Sequence, residues 1–303
     1  MTGYGPFRRG TALAVLGALA LLAGCGAPAA EPPAQAPTIA VDERLRALLP
    51  DDVLAAGRLT VATDASYPPA SAFGPDGRTI VGFEPDLMAA IGDLLGVEVE
   101  LRTWSFDAML ADLAGHEFDL VVSAMTDTVE RQTQADFVNY FRAGTSIVVQ
   151  RGNPHGIHDL TDLCGRLVAV ETATVQVGLI ERSQGRCGDD PIRMATFPTN
   201  DDALVELRTG RAAAVLNDYP PAVFVTTNER SGGAFQLVSD VQYEPGLYGI
   251  GVATDRPELR DALAAALDRL LGSGDYERIL QDWDVASGAV ADVTVNGGAP
   301  QDG

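Results

Sequence analysis

Lysine is absent from this chain: all 21 basic residues are arginine, set against 42 aspartates and glutamates for a net charge of −21. The missing lysine itself reads as GC-rich codon usage, but the acidic balance excludes more. Nucleic acid and anionic lipid surfaces both demand cationic patches, so neither is an expected partner. Histidine is scarce as well: His116, His155 and His158 are the three, all in loop-like stretches. No nucleophile–base pair, metal-ligand spacing or phosphate loop is visible, so neither catalytic residues nor a metal or cofactor are expected. Aromatics are 6% and apolar residues 46%, which fits a soluble globular chain with material for cores. Its 303 residues are enough for two domains.

The apolar run TALAVLGALALLA has 13 residues counting its leading Thr11, short of the roughly 20 that span a bilayer. With FRRG before it and LAGC at 22–25 after it, the layout is that of a secretory signal. The small residues before Cys25 resemble a bacterial lipobox, with cleavage after residue 24 and a lipid on Cys25; a soluble-secretion signal is the alternative. Residues 1–24 are thus the expected signal peptide, and the protein is expected at the outer face of the cytoplasmic membrane, attached by its N-terminal lipid. Losing Arg8 and Arg9 leaves 19 basic against 42 acidic residues, a net −23. The Pro/Ala-rich stretch within 25–41 reads as a flexible tether. Of three cysteines, Cys164 and Cys187 remain. In an exported protein such a pair is expected to be bridged, stabilising by about 3 kcal/mol. Two thiols without nearby histidine make no zinc site.

Past the amphipathic VDERLRALLPDDVLAAG, short apolar runs alternate with segments of helical period. Strands are predicted at 58–64 (RLTVATD), VEVELRTW, DLVVSAM and 144–150 (GTSIVVQ). Helices are predicted at EPDLMAAIGDLLG, ended by Gly96, at FDAMLADLAGHEF and, briefly, at TVERQTQA. The pattern restarts with strands at 166–172, 191–197, 212–218, 234–240 and 247–253, followed by a long helical region and a Gly-rich tail. Such alternation predicts an α/β fold of parallel sheets flanked by helices, and two series predict two lobes. The chain is expected to cross between them near Gln150–Pro154 and return near Gln242–Gly246. That places the first lobe at 42–150 and 246–290, the second at 151–245, and a flexible tail at 291–303. No transmembrane run follows the second lobe, so the outer half of a single-chain receptor is not expected.

In open parallel sheets, ligands bind beyond the carboxyl ends of the strands. Four strand ends carry suitable groups: Asp64 before ASYPP, Thr126 and Arg131 after DLVVSAM, Glu171 and Thr172 before ATVQ, and Asn217 and Asp218 before YPP. Each has a plainer reading. Asp or Thr between strand and helix is often an N-cap, Thr128 is placed to cap the helix holding Arg131, and Arg131 could pair with Glu130 or Asp136 at the surface. Taken together, the four ends suit a zwitterion. A helix N-terminus favours an anion, an Arg one turn in adds a planar fork for a carboxylate, and Asp218 from the other lobe can hold an ammonium.

The segments LTVATDASYPP…IVGFEPDLMAAI, FDLVVSAMTDTVERQTQADF, GRAAAVLNDYP and LYGIGVA…GDYERILQDW resemble the family 3 extracellular solute-binding proteins. These are the polar-amino-acid receptors of bacterial ABC importers, related to the histidine-, glutamine- and lysine/arginine/ornithine-binding proteins. The resemblance covers roughly residues 57 to 285. It implies a two-lobed periplasmic-binding-protein type II fold with a two-segment hinge, a monomer that closes on an amino acid and engages a membrane ABC permease, and no enzymatic activity or cofactor. It also implies roles. Arg131 would bind the α-carboxylate and Asp218 the α-ammonium, with backbone and hydroxyl groups around Ser123, Ala124 and Thr126 contributing. Tyr67 and Phe106 would sandwich the side chain, Asp64 and Glu171 would lie near its far end, and Gln176 would line the second lobe. The chain departs from the family pattern at Ala70, where an aromatic is usual, and at Ala173-Thr174-Val175, where Gly and two small residues are usual; the Val175 N–H stays available. A Glu at 171, where glutamine-binding relatives carry Lys, favours a cationic amino acid, arginine or histidine before lysine, unless Glu171 points to solvent; glutamine is the rival. Some relatives are cyclohexadienyl dehydratases, and a sensor partnering a membrane kinase is a third possibility.

Overall fold

The computed structural model describes residues 39–298. The expected signal peptide, the lipidation site Cys25 and most of the tether lie outside the described residues. In chain order the strands are β1 (Arg58–Thr63), β2 (Ser66–Tyr67), β3 (Ser71–Phe73), β4 (Ile80–Val81), β5 (Glu98–Thr103) and β6 (Leu120–Val121). After these come β7 (Ala135–Gln150), β8 (Leu167–Glu171), β9 (Arg193–Phe197) and β10 (Ala214–Asp218), then β11 (Phe235–Leu237), β12 (Tyr243–Ala253) and β13 (Thr294–Val295). The main sheet has the order β5-β1-β6-β12-β7-β10-β8-β9, with β11 and β13 also on β7; β2, β3 and β4 form a separate small sheet. The flanking trios are parallel, β5-β1-β6 and β10-β8-β9. At the centre, β7 runs antiparallel to both β12 and β10.

The two lobes follow from these partnerships. Along Ala135–Ala143, β7 pairs with β12, and along Thr145–Val148 it pairs with β10. Apolar clusters divide at the same place. One pair of clusters draws on positions 49 to 143 and 248 to 285, including Leu259, Leu263 and Leu267 from the C-terminal helix Pro257–Ser273. The other pair draws on positions 147 to 235. Helix Phe83–Leu95 shows how the sequence builds one face: Phe83, Leu87, Met88, Ile91, Leu94 and Leu95 are buried at helical spacing, and Gly96 closes it at φ 63°. Cys164 and Cys187 are bridged, as expected.

Several expectations are corrected. Strand 144–150 is the second half of the 16-residue β7. Its first half, ADFVNYFRA, is almost wholly buried, so it lacks the polar alternation that betrays a half-exposed strand. The change of lobe falls around Gly144, earlier than Gln150–Pro154. DLVVSAM keeps strand geometry only at Leu120–Val121. TVERQTQA forms no α-helix, only a 3-10 turn at Arg131–Thr133; Thr128 still takes the capping role, its Oγ accepting from the Arg131 N–H at 3.2 Å. The tail placed at 291–303 is tied down in its described part, because β13 pairs with the free edge of β7 at Asn139 and Val138, where unpaired strand groups need partners.

Candidate functional site

The carboxyl ends of β1, β6, β8 and β10 face one another across the lobes. Around the cleft between them stand Asp64, Tyr67, Phe106, Ser123, Ala124, Thr126, Arg131, Glu171, Thr174, Val175, Gln176 and Asp218. These are all twelve of the ligand-contacting positions read from the sequence. The loops that deliver them are bent at two alanines, Ala124 (φ 45°) in the first lobe and Ala173 (φ 62°) in the second. Left-handed backbone at a residue with a Cβ costs roughly 1–2 kcal/mol, and such strain gathers at functional sites. At 173, where the resemblance led to an expectation of glycine, an alanine holds the left-handed backbone that glycine favours.

Arg131 spans the cleft. Its Nη1 donates to the Thr126 carbonyl at 2.7 Å and its Nη2 to the Ala173 carbonyl of the other lobe at 2.8 Å. The guanidinium lies 5.4 Å from the Phe106 ring centroid, so in this state Phe106 stacks on Arg131. A surface pairing with Asp136 is ruled out, since Asp136 accepts from Arg260 at 2.9 Å. Burial brings the Arg131 pKa down to about 10, while Asp218, Glu130 and Asp127 pull it back up. It remains a cation at neutral pH.

The acidic side of the cleft is crowded. Asp218 opens helix Tyr219–Thr227 yet makes no capping bond with its side chain. Its carboxylate accepts from Gln176 Nε2 at 2.8 Å and from Tyr67 Oη at 3.3 Å, and its N–H donates to the same Tyr67 Oη at 2.8 Å. Tyr67 therefore bridges the lobes. Gln176 also reaches Thr145 Oγ at 3.2 Å. Asp64 accepts from the Ser66 N–H at 2.8 Å, and its own N–H donates to Ser123 Oγ at 3.0 Å. Glu171 does not point to solvent: it is 7% exposed, and its Oε1 is buried without a hydrogen-bond partner. Thr174 Oγ donates to the Glu171 carbonyl at 2.7 Å, fixing the turn that carries it.

Burial, reinforced by Asp64, Asp218 and Asp107, pushes the Glu171 carboxyl up to about 10. Burial raises Asp218 to about 6 against the opposing effects of Tyr248, Tyr67, Gln176 and Arg131. Both values lie above the ordinary carboxylate range of roughly 4. The stabilisation tied to protonation is therefore complete below about pH 4 and is lost as pH rises through the folded values, about 6 for Asp218 and about 10 for Glu171. Glu171→Gln, which cannot ionise, should flatten this decline. The empty variant should melt roughly 3 °C or more above the parent at pH 8 and alongside it at pH 4. Calorimetry across that range checks this, and superimposable profiles would refute a protonated Glu171.

Some groups that shape the site were missed in the sequence. Glu84, at the start of helix Phe83–Leu95, is 1% exposed. It accepts from the Ala124 N–H at 2.6 Å, from Ser71 Oγ at 2.9 Å and from the Tyr140 hydroxyl. It thus holds the bend at Ala124 against β7. Its signal was an acidic residue inside an otherwise apolar helix face. Tyr248, buried on β12 beside Asp218, gave no signal, since an aromatic in a strand reads as core.

Residues 59–286 match the Bacterial extracellular solute-binding proteins, family 3. The chain is 29% identical over 256 residues to the arginine-binding protein ArgT of Corynebacterium glutamicum, covering 83% of this chain and 82% of that one. An ancestral arginine-binding protein solved with arginine is similar at 32% identity and TM-score 0.69, over 75% of this chain and 98% of that one. An ancestral arginine-binding protein solved with glutamine is likewise similar at 32% identity and TM-score 0.69, over 76% and 98%. An ancestral amino acid-binding protein described as a precursor of cyclohexadienyl dehydratase matches at 28% identity and TM-score 0.65, over 77% and 97%. With the matched segment spanning both lobes and the cleft, the chain belongs to the family 3 bacterial extracellular solute-binding proteins.

Proposed function

We propose that this protein captures a cationic L-amino acid, arginine or histidine before lysine, between its lobes and delivers it to an ABC permease. It does so held at the outer face of the cytoplasmic membrane by a lipid on Cys25. The observation that carries the ligand assignment is Glu171: a buried carboxyl with an unpartnered oxygen, lining the same cleft as Asp64 and Asp218. Three carboxyl groups face one Arg, and in the empty cleft Glu171 keeps its proton for want of a nearby cation. A zwitterion uses one pair, its carboxylate on the Arg131 fork and its ammonium on Asp218. The remaining acidic groups then favour a cationic side chain. The guanidinium or imidazole plane also suits the faces of Tyr67 and Phe106.

Binding would exchange existing bonds rather than create a site from nothing. The ligand carboxylate takes over the Arg131 Nη2 donor now spent on the Ala173 carbonyl, and the ammonium joins Tyr67 and Gln176 on Asp218. A ligand held by Arg131 of the first lobe and Asp218 of the second joins the two, so it stabilises the closed arrangement through differential contacts. Arginine named for ArgT and for an ancestral arginine-binding protein supports the cationic class; glutamine bound to an ancestral arginine-binding protein marks the rival. A thermal-shift screen of the twenty amino acids and common polyamines tests the proposal, since a ligand that binds only the folded state adds about 2.7 kcal/mol at a hundred times its Kd. Arginine or histidine should give the largest shift. An equal or larger shift with glutamate overturns the assignment.

A further inference from the structure

We infer that the C-terminal segment Thr294–Gly298 is a strap that positions the Arg131 loop, so that residues outside the family match at 59–286 set the affinity of the cleft. Three observations carry this. The segment lies on the free edge of β7, with Thr294 opposite Asn139 and Val295 opposite Val138. Asn296 continues the pairing, exchanging bonds with Phe137 at 2.8 and 2.9 Å. Beyond it, the Gly298 N–H donates to Asp127 Oδ2 at 2.8 Å, and the buried Asn139 donates to the same oxygen at 3.0 Å while accepting from the Gly297 N–H at 2.9 Å.

Asp127 is the link to the site. It is 2% exposed and follows Thr126, whose carbonyl receives Arg131 Nη1. Its other oxygen accepts from Gln132 Nε2 at 2.7 Å, the residue after Arg131. Strap and loop therefore share one buried carboxylate, and a buried acceptor stripped of donors is costly. The approach is close enough to demand glycine: a Cβ on Gly298 would sit 2.0 Å from the Asp127 carbonyl oxygen. These are positioning residues, acting on the ligand only through Arg131. The inference rests on the proposed function for its affinity readout but not for its structural one.

The test uses the full chain with Gly298→Ala and, separately, the milder Asn296→Ala. Val295→Ala serves as a control, since that side chain is 39% exposed and its backbone pairing is kept. L-arginine should bind Gly298→Ala about tenfold more weakly through faster dissociation, with Val295→Ala at parental affinity. Hydrogen exchange on the empty proteins should quicken together at 294–298 and at 127–133 in both strap variants. Faster exchange confined to 294–298, or parental affinity with the strap released, overturns the inference. Should the parent itself ignore L-arginine, the ligand assignment fails, and the exchange measurement alone decides the strap.

Discussion

Arg131→Ala is expected to weaken amino-acid binding at least about 30-fold while leaving the empty protein folded and melting near the parental temperature. Loss of the partner for a buried carboxylate costs about 2–5 kcal/mol, so affinity should fall between roughly 30-fold and several thousandfold. The empty protein tolerates the change because Arg131 contributes little to the fold. Its two bonds go to backbone carbonyls, Thr126 and Ala173, and burial already works against its charge. Truncation also exposes Asp218 to less positive potential, raising its pKa further and weakening its hold on an ammonium. Both ends of the zwitterion are therefore lost with one side chain. Calorimetric titration with L-arginine, set beside a melting curve, checks the two halves; affinity near the parental value sinks the central assignment.

Glu171→Gln should separate the candidate ligands. For a cationic side chain, the variant removes a desolvated partner and should weaken binding by about 100-fold. For glutamine, whose amide is neutral, the expected change is within about threefold. The pH dependence carries the same information with a definite sign. A cation seated beside Glu171 favours the ionised carboxyl, which must surrender its proton from a value near 10. Arginine affinity in the parent should therefore rise with pH between 6 and 9, whereas in Glu171→Gln the rise attributable to this proton disappears. Titrations in two buffers of different ionisation enthalpy would detect the released proton directly. Equal losses for arginine and glutamine would mean that Glu171 does not read the side chain.

Much of this site was legible because its chemistry sits at strand ends. Asp64, Glu171 and Asp218 each close or follow an apolar run, and a parallel sheet puts such ends on one side. The plain alternative for Asp218, a helix cap, fails because its side chain turns to Gln176 and Tyr67 instead. What stayed hidden has physical causes. Half of β7 was unreadable because both its faces are buried, and burial on both sides erases alternation. The loop around Arg131 mimicked a helix in composition, yet only a 3-10 turn forms, since Arg131, Thr126 and Thr128 spend their polar groups on one another. Glu84 and the strap were invisible for another reason: their partners are distant in sequence, Ala124 for Glu84 and Asp127 for Gly298.

The division of the apolar clusters at Gly144 also sets how the protein loses its structure. Positions below 144 and above 247 share one set of clusters, and positions between share another. Among the described residues, the strands β7 and β12 run through both sets, and polar bonds of the cleft also join them. Halves with separate apolar clusters are expected to open as cooperative units of their own. A ligand gripping Arg131 on one side and Asp218 on the other makes the opening of either half cost the binding energy as well. Occupancy should then make the two halves open together, so the bound amino acid acts as the missing stretch of core between them.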